Sequence, residues 1–474
     1  MSEAEESPLL GTTPPAPYGS ADERVQEEAI EHDAVYKRFK PAKKRVIVAL
    51  VSWAGLLPLF VSGSFVPSIP EVAREFDSTG PIINLAVSLS IFAVALGTLV
   101  WATYSGFYGR RPIYLVSTPV LALGSLGVSL SRSVPELMVW RFVQAFGSGS
   151  GMSVGGGVIG DIYRLEERGS VMGIFFAFCL TGPALAPLAG GLATHYASWR
   201  VMQFALFVAA IIAYLLMFFF LPETSQPHAR GVDKLDRWRW VWLNPFRSMM
   251  WFRSPNLLLL CLVGSFVLIT DYVLLIPLAY TVGKRYDITN EALIGAFFLP
   301  AGLGNIIGAP LAGRISDIIV VRWRKKRGGV WVPEDRLRGT MVGALVFVPM
   351  SVLLCGIITH YVDGRAGVVL NLICLFFNGI GVDLVLSPMA AYLVDIMHSR
   401  SAEAMASNAG LRSIFTALAT AAILPSINTF GVLATDAMAA GLAWIGCLLM
   451  WATIRYGDRM RAWVDVGFST AANN

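Results

Sequence analysis

The chain has 474 residues, of which 55% are hydrophobic and only 15% charged, with a mean hydropathy of +0.61 and a formal net charge of +5. These proportions exclude an ordinary soluble globular enzyme and place the chain among polytopic, all-α membrane proteins. The amino-terminal residues 1–43 are acidic and proline-containing (EAEESPLLGTTPPAP, ADERVQEEAIEHDA) and lack the apolar core of a signal peptide, so a disordered cytoplasmic tail is expected. EESPLL at Glu5 to Leu10 matches a short acidic dileucine sorting pattern, which keeps a vacuolar or endosomal membrane as an alternative to the plasma membrane. The basic run YKRFKPAKKR that follows suits an anionic inner leaflet or a merely solvated juxtamembrane stretch.

At about 20 residues per crossing, the hydrophobic runs give twelve spans: 45–68, 82–103, 112–131, 136–158, 169–193, 200–221, 256–281, 290–312, 339–359, 366–394, 406–428 and 434–455. The polar segment 222–255 divides them into an amino-terminal half (44–221) and a carboxy-terminal half (256–455), followed by a cytoplasmic tail at 456–474. With both tails inside, the inner loops carry 19 lysines and arginines and the outer loops 6, which favours that orientation. The five cysteines fall singly in apolar runs and indicate neither a disulfide framework nor a metal site. GSGSG and GGG lie inside an apolar run without the Lys and Ser or Thr of a phosphate loop, so an ion gradient or downhill flow is the expected energy source. No cofactor, metal, nucleic-acid partner or enzymatic activity is expected.

Several ordered motifs now stand at span ends: YGRRP from Tyr108, RFVQAFGSGSG from Arg141, GDIYRLEERGSVMGI from Gly160, GPALAPLAGG from Gly182, LPET from Leu221, GRISD from Gly313 and SAEAMASNAGLRS from Ser401. Together they resemble the major facilitator superfamily, and more narrowly its fungal twelve-span drug:proton antiporters, over residues 45–455. The resemblance implies two pseudo-symmetric six-helix halves, a small-molecule substrate exchanged for protons across the bilayer, and a monomer. Two departures stand out. Gly106 occupies a position that is usually acidic in the family, so an ion pair of the inner gate is missing or supplied elsewhere. Ala186 replaces a glycine of the fifth-span pattern while staying small. The gate and hinge residues implied are Arg110 and Arg111, Asp161 and Arg168, the fifth-span Gly182, Pro183, Pro187, Gly190 and Gly191, and Arg314 with Asp317 in the second half, on which the inner lock is expected to lean.

Intramembrane charge points to the site itself, because a charged side chain at mid-helix costs about 2.5–3.5 kcal/mol to insert. Arg141, Gln144, Ser148 and Gly151 share one helical face of the fourth span. That face lines a central cavity and couples protons, as the family's fourth-span arginine implies, or else Arg141 is a structural group bonded to neighbouring carbonyls. Asp271 and Asp383 are the carboxylates read as lying well inside spans. Asp271, beside Tyr272, is the proton or cation candidate, whereas Asp383 either joins it or forms a static pair with Arg412. Asn408 and Arg412 in SNAGLRS, Asn378, Phe297 and Tyr280 complete the candidate cavity lining. The expected function is proton-coupled export of small amphipathic organic compounds by alternating access. Export of one endogenous metabolite (an organic acid, a glycolipid precursor or a polyamine), a proton-independent facilitator, and a transporter-like nutrient sensor are the other readings.

Overall fold

The computed structural model describes residues 36, 38–163, 165–225, 230–234, 241–288, 290–330, 332–397 and 401–463. EESPLL, Arg164 and most of the two expected tails lie outside these residues. Among the described residues there is no strand, and the chain forms a bundle of long helices. The first half holds α1 (Pro41–Gly63), α2 (Ile69–Glu75), α3 (Gly80–Tyr108), α4 (Arg110–Leu130), α5 (Val134–Ser148), α6 (Ser150–Ile162), α7 (Leu165–Tyr196) and α8 (Trp199–Phe220). The second holds α9 (Pro255–Leu275), α10 (Glu291–Ala296), α11 (Leu299–Lys326), α12 (Val348–Tyr361), α13 (Gly364–Met397), α14 (Ser401–Phe430) and α15 (Val432–Trp463). The last helix runs eight residues past the expected end of its span at 455.

Eleven helical stretches among the described residues are long and apolar enough to cross a membrane. The twelfth crossing, expected over 136–158, is divided by a turn at Gly149 into α5 and α6, of 15 and 13 residues. Gly149 keeps right-handed helical angles (φ −58°, ψ −19°), so the two pieces continue as one crossing element. The GSGSG run explains both the break and its position. Each glycine weakens a helix by about 1 kcal/mol relative to alanine, yet alternate residues turn by about 200° and so present the three glycines to different neighbours. A Cβ at Gly147 would lie 2.4 Å from Leu121 N on α4, one at Gly149 2.7 Å from Thr98 N on α3, and one at Gly151 2.2 Å from Ala54 O on α1. Lipid offers no hydrophobic drive between helices, so backbone approach of this kind is what holds a bundle together.

The turn of YGRRP works differently. Gly109 sits at φ +104°, a region open to glycine, and the Glu223 carboxylate of LPET fills the space a Cβ would take. Glu223 accepts the backbone N–H of Arg110 at 3.0 Å and of Arg111 at 3.3 Å, which caps the positive end of α4.

Burial divides the bundle along its length. At one end a single apolar cluster joins both halves, with Phe65, Ile69, Ile83 and Trp199 packed against Val273, Ile294, Phe298 and Ile423. At the opposite, arginine-rich end each half keeps its own core, around Ile47, Tyr114, Val158 and Phe175 in the first and around Leu260, Val348, Val385 and Tyr392 in the second. Along the seam, Tyr280 lies across Gly80 of α3, the Asn84 amide donates to the Thr420 carbonyl of α14 at 2.8 Å, and Leu99 fills the notch at Gly410.

A side chain forced into the α1–α6 contact meets the Ala54 backbone and the Pro58 ring, neither of which moves aside easily, and overpacking of this kind costs about 1–3 kcal/mol. Gly151→Val is therefore expected to lower the thermal midpoint of the purified protein by about 3 °C or more. Gly441→Ala, where a Cβ meets nothing within 4 Å, is expected not to lower it. Equal midpoints for wild type and Gly151→Val would contradict the packing described.

Candidate functional site

The fourth-span arginine is tied into its own half. Arg141 on α5 is fully buried, and its guanidinium donates to the Val61 carbonyl of α1 at 3.0 Å and to Gln144 Oε1 at 2.9 Å, with its carbon 4.4 Å from the Phe65 ring centre. Gln144 passes the network on, donating to Ser125 Oγ on α4 and Gln203 Oε1 on α8 at 3.0 and 2.9 Å. Ser148 bonds back to its own helix at Ala145. The face chosen for a central cavity thus packs against α1, α4 and α8 of the same half. Arg141 nonetheless has no ion pair among the described residues, and its Nε and Nη2 have no hydrogen-bond partner.

The carboxy-terminal half leaves its intramembrane charges less provided for. Asp271 on α9 makes no hydrogen bond or ion pair among the described residues, and its charge acts on Asp383 of α13 and on the neighbouring Tyr272 hydroxyl. Asp383 is 8% exposed, its Oδ2 is unpartnered, and a Cβ at Gly308 of α11 would lie 3.2 Å from its own Cβ. Arg412 of α14 rests its stem on α9, where a Cβ at Gly264 would lie 3.0 Å from Arg412 Cδ, and its charge reaches Tyr272. No ion pair joins Asp383 to Arg412, and Arg412 Nε and Asn408 Oδ1 are buried without partners. Asn378 bridges three helices, donating to Ser351 Oγ of α12 at 2.9 Å and, more weakly, to Thr270 Oγ1 of α9 at 3.4 Å. The structure therefore brings Asp271 near Tyr272 and Asp383, and Arg412 near Tyr272, with Asn378 and Asn408 on the helices of Asp383 and Arg412. Tyr280 lies at the seam of the halves, and Phe297, like Tyr272, packs beside the shared apolar cluster.

The arginine-rich end carries the expected gate residues. Arg110 pairs with Asp161 at 2.9 Å and also donates to Ser105 Oγ, and Arg111 donates to the Phe218 carbonyl. Asp161 and Glu223 thus provide the acidic partners for YGRRP that Gly106 does not. In the second half Asp317 pairs with Arg336, which also binds Asp395 at 2.7 Å, while Arg314 is exposed outside this relay. The Arg168 side chain lies outside the described part of the chain. All of these pairs stay within one half.

The opposite end is clasped across the halves. Glu291 at the start of α10 takes Arg74 from α2 at 3.3 Å and His195 from α7 at 3.2 Å, and the Asn290 amide faces the second ring nitrogen of His195 at 3.4 Å. Beneath it α7 meets the other half through small residues. A Cβ at Gly191 would lie 2.4 Å from the Glu291 carbonyl, one at Gly295 2.5 Å from the Pro187 carbonyl, and one at Gly302 2.3 Å from the Ala184 Cβ. Two prolines, Pro183 and Pro187, sit inside α7, while Gly182 and Gly190 turn to Leu59 and Ser64 of the same half. Sequence reasoning missed Glu291 and His195 as a pair, since nothing local links residues 96 apart. It also missed Asn84, whose polar side chain inside an apolar run was the available signal, and Asp436, which lies too near the expected start of its span to stand out.

Residues 51–423 match the profile of the Major Facilitator Superfamily. An MFS antiporter of Candida albicans is 22% identical over 89% of this chain and 79% of its own length. An efflux pump of Floropilus chiversii is 26% identical over 90% and 82%, and a citrate exporter of Aspergillus niger is 24% identical over 89% and 88%. A crystal structure of a D-xylose–proton symporter superposes on 86% of this chain and 97% of its own with a TM-score of 0.65 at 15% identity, a likeness of fold.

Glu291→Gln removes the charge that holds Arg74 and His195. Spin labels at Thr79→Cys and Lys284→Cys, on exposed positions of the two halves, are expected to report a longer and broader distance distribution in that variant. An unchanged distribution would show that the apolar cluster alone sets the closure.

Proposed function

Because the chain belongs to the major facilitator superfamily and is therefore a membrane transporter, we propose that it exports small amphipathic organic compounds in exchange for protons. The observation that carries this reading is Asp271, an intramembrane carboxylate without an ion-pair partner, whose charge reaches Asp383 and the Tyr272 hydroxyl that Arg412 also reaches. A carboxylate placed so takes a proton readily when buried and releases it when water reaches it. In this reading Asp271 carries the proton, Asp383 senses its charge, and Arg412 competes for the acid when the proton leaves. Arg141 serves as the keystone of the amino-terminal half, so that this half rocks as a rigid body against the other.

The charge bias of the loops supports placing the arginine-rich end and both tails in the cytoplasm, with the Glu291 clasp outward. The closed form described is then the outward-closed one, poised to load from inside. The efflux-pump name of the Floropilus relative supports the direction, and the antiporter name of the Candida relative supports exchange. The plasma membrane is the proposed location and a monomer the working unit. A second reading, export of an endogenous organic acid, is favoured by the unpartnered Arg412 Nε and by the citrate exporter among the relatives.

The test is substrate-driven proton movement in liposomes containing the purified protein, with cationic, neutral and anionic compounds. One class is expected to drive proton flux in the wild type and at least about tenfold less in Asp271→Asn. Flux driven by anions selects the organic-acid reading. Transport without any proton flux would overturn the exchange mechanism.

A further inference from the structure

Asp436, near the start of α15, takes no part in anything above. It is 3% exposed and makes no hydrogen bond or ion pair among the described residues. It borders a cavity of about 10 Å³ inside the carboxy-terminal half, lined also by Thr281, Val282, Cys355, Thr359 and Val432. That is room for one water-sized species. Gly356 of α12 makes the space for the carboxylate, since a Cβ there would lie 2.9 Å from Asp436 Oδ2.

Every donor around this cavity is committed elsewhere. Thr281 Oγ1 donates to the Pro277 carbonyl at 3.1 Å. Cys355 Sγ and Thr359 Oγ1 both donate to Asn371 Oδ1, at 2.9 and 3.3 Å. The Asn371 amide donates to the Tyr286 hydroxyl, whose own proton goes to the Val362 carbonyl at 2.9 Å. A hydroxyl has one proton and two lone pairs, so the two threonines present acceptors to the cavity alongside an unanswered carboxylate. The neighbouring guanidinium, Arg285, is turned to Asp363 at 2.5 Å and to the Thr359 carbonyl at 3.1 Å and does not neutralise Asp436. Cys355 on α12 is the titratable group that faces it, with Cys374 of α13 and Tyr286 behind Cys355. Apart from Cys355, the polar side chains set among this otherwise apolar lining offer only oxygen acceptors, which repel an anion and suit a small hard cation.

We infer that this cavity is a binding site for one small monovalent cation, either a proton on Asp436 or a sodium ion held by Asp436, Thr281 and Thr359. The site is additional to the proposed exchange site, because neither Asp271 nor Asp383 borders it. Either inference therefore survives failure of the other.

The experiment measures the thermal midpoint of the purified full-length protein in detergent at pH 8 in choline chloride, at pH 8 in sodium chloride of equal ionic strength, and at pH 5.5 in choline chloride. Sodium or acid is expected to raise the wild-type midpoint by about 3 °C or more through ligand linkage. Asp436→Asn is expected to lose that rise. Because Asp271 and Asp383 also respond to acid, the difference between wild type and variant is the reading. A difference seen with sodium identifies sodium as the ligand, and one seen with acid alone identifies the proton. No wild-type response to either, or an equal response in Asp436→Asn, overturns the site. If that variant fails to fold, Thr359→Val decides. A roughly tenfold increase in the half-maximal cation concentration, about the loss of one charge-assisted contact, supports the site, and an unchanged value overturns it.

Discussion

Hydrocarbon offers no hydrogen bonds, so every polar group within the spans must be answered by another part of the chain. The two halves meet that constraint in different ways. In the first, one buried arginine gathers a carbonyl, two glutamines, a serine and an aromatic face, and thereby fixes α1, α4, α5 and α8 in one arrangement. In the second, Asp383, Asn378, Asn408 and Arg412 each keep a buried atom without a partner. Arg141 also keeps Nε and Nη2 without partners, so neither half is fully satisfied; the network around it ties four helices together, whereas the unpartnered groups of the second half hold free energy that a proton, a water or a substrate can release. In the proposed mechanism, chemistry belongs to the second half and leverage to the first.

Closure between the halves is built from weak parts. An exposed ion pair contributes only about 0–1 kcal/mol, and Arg74 is 71% exposed in its pair with Glu291. Most of the hold comes instead from the apolar cluster shared around Phe65, Ile294 and Phe298, together with the bare backbone contacts at Gly191 and Gly295. A gate that must open in each cycle suits this division. Shape and apolar contact set the closed position, and charge sets how readily it is left.

Much of this was legible in the sequence, for identifiable reasons. Length and hydropathy gave the spans because a crossing helix is fixed by bilayer thickness. The sequence reading leaves the fourth span unbroken, and only the neighbours show why GSGSG divides it and why each glycine is there. Asp271, Asp383 and Arg412 stood out because charge is rare in such runs, yet whether Asp383 and Arg412 form a pair depends on helix rotation, which no local pattern sets. The same limit hid the true neighbours of Arg141, since one helical face has no label saying which half it meets. Glu291 and Asp436 sit close to span ends, where a carboxylate is unremarkable by position and only burial distinguishes it.

The connection between the halves is shorter than it looks. Its first residues are riveted to the amino-terminal half, where Arg38 donates to the Thr224 and Ser225 carbonyls and Glu223 caps α4. Farther on, Val241 N and Leu243 N donate to the Tyr108 and Tyr104 hydroxyls of α3 at 2.8 and 3.3 Å. Mechanically, then, the chain as far as Leu243 travels with the first half, and the working tether is the stretch from Asn244 to Ser254, whose Pro245–Arg253 turn touches both α3 and α14. Its slack, and not the length of the whole connection, sets how far the arginine-rich end can swing apart. Added residues upstream of Val241 would hang as a loop on one body, whereas residues removed after Leu243 would shorten the stroke.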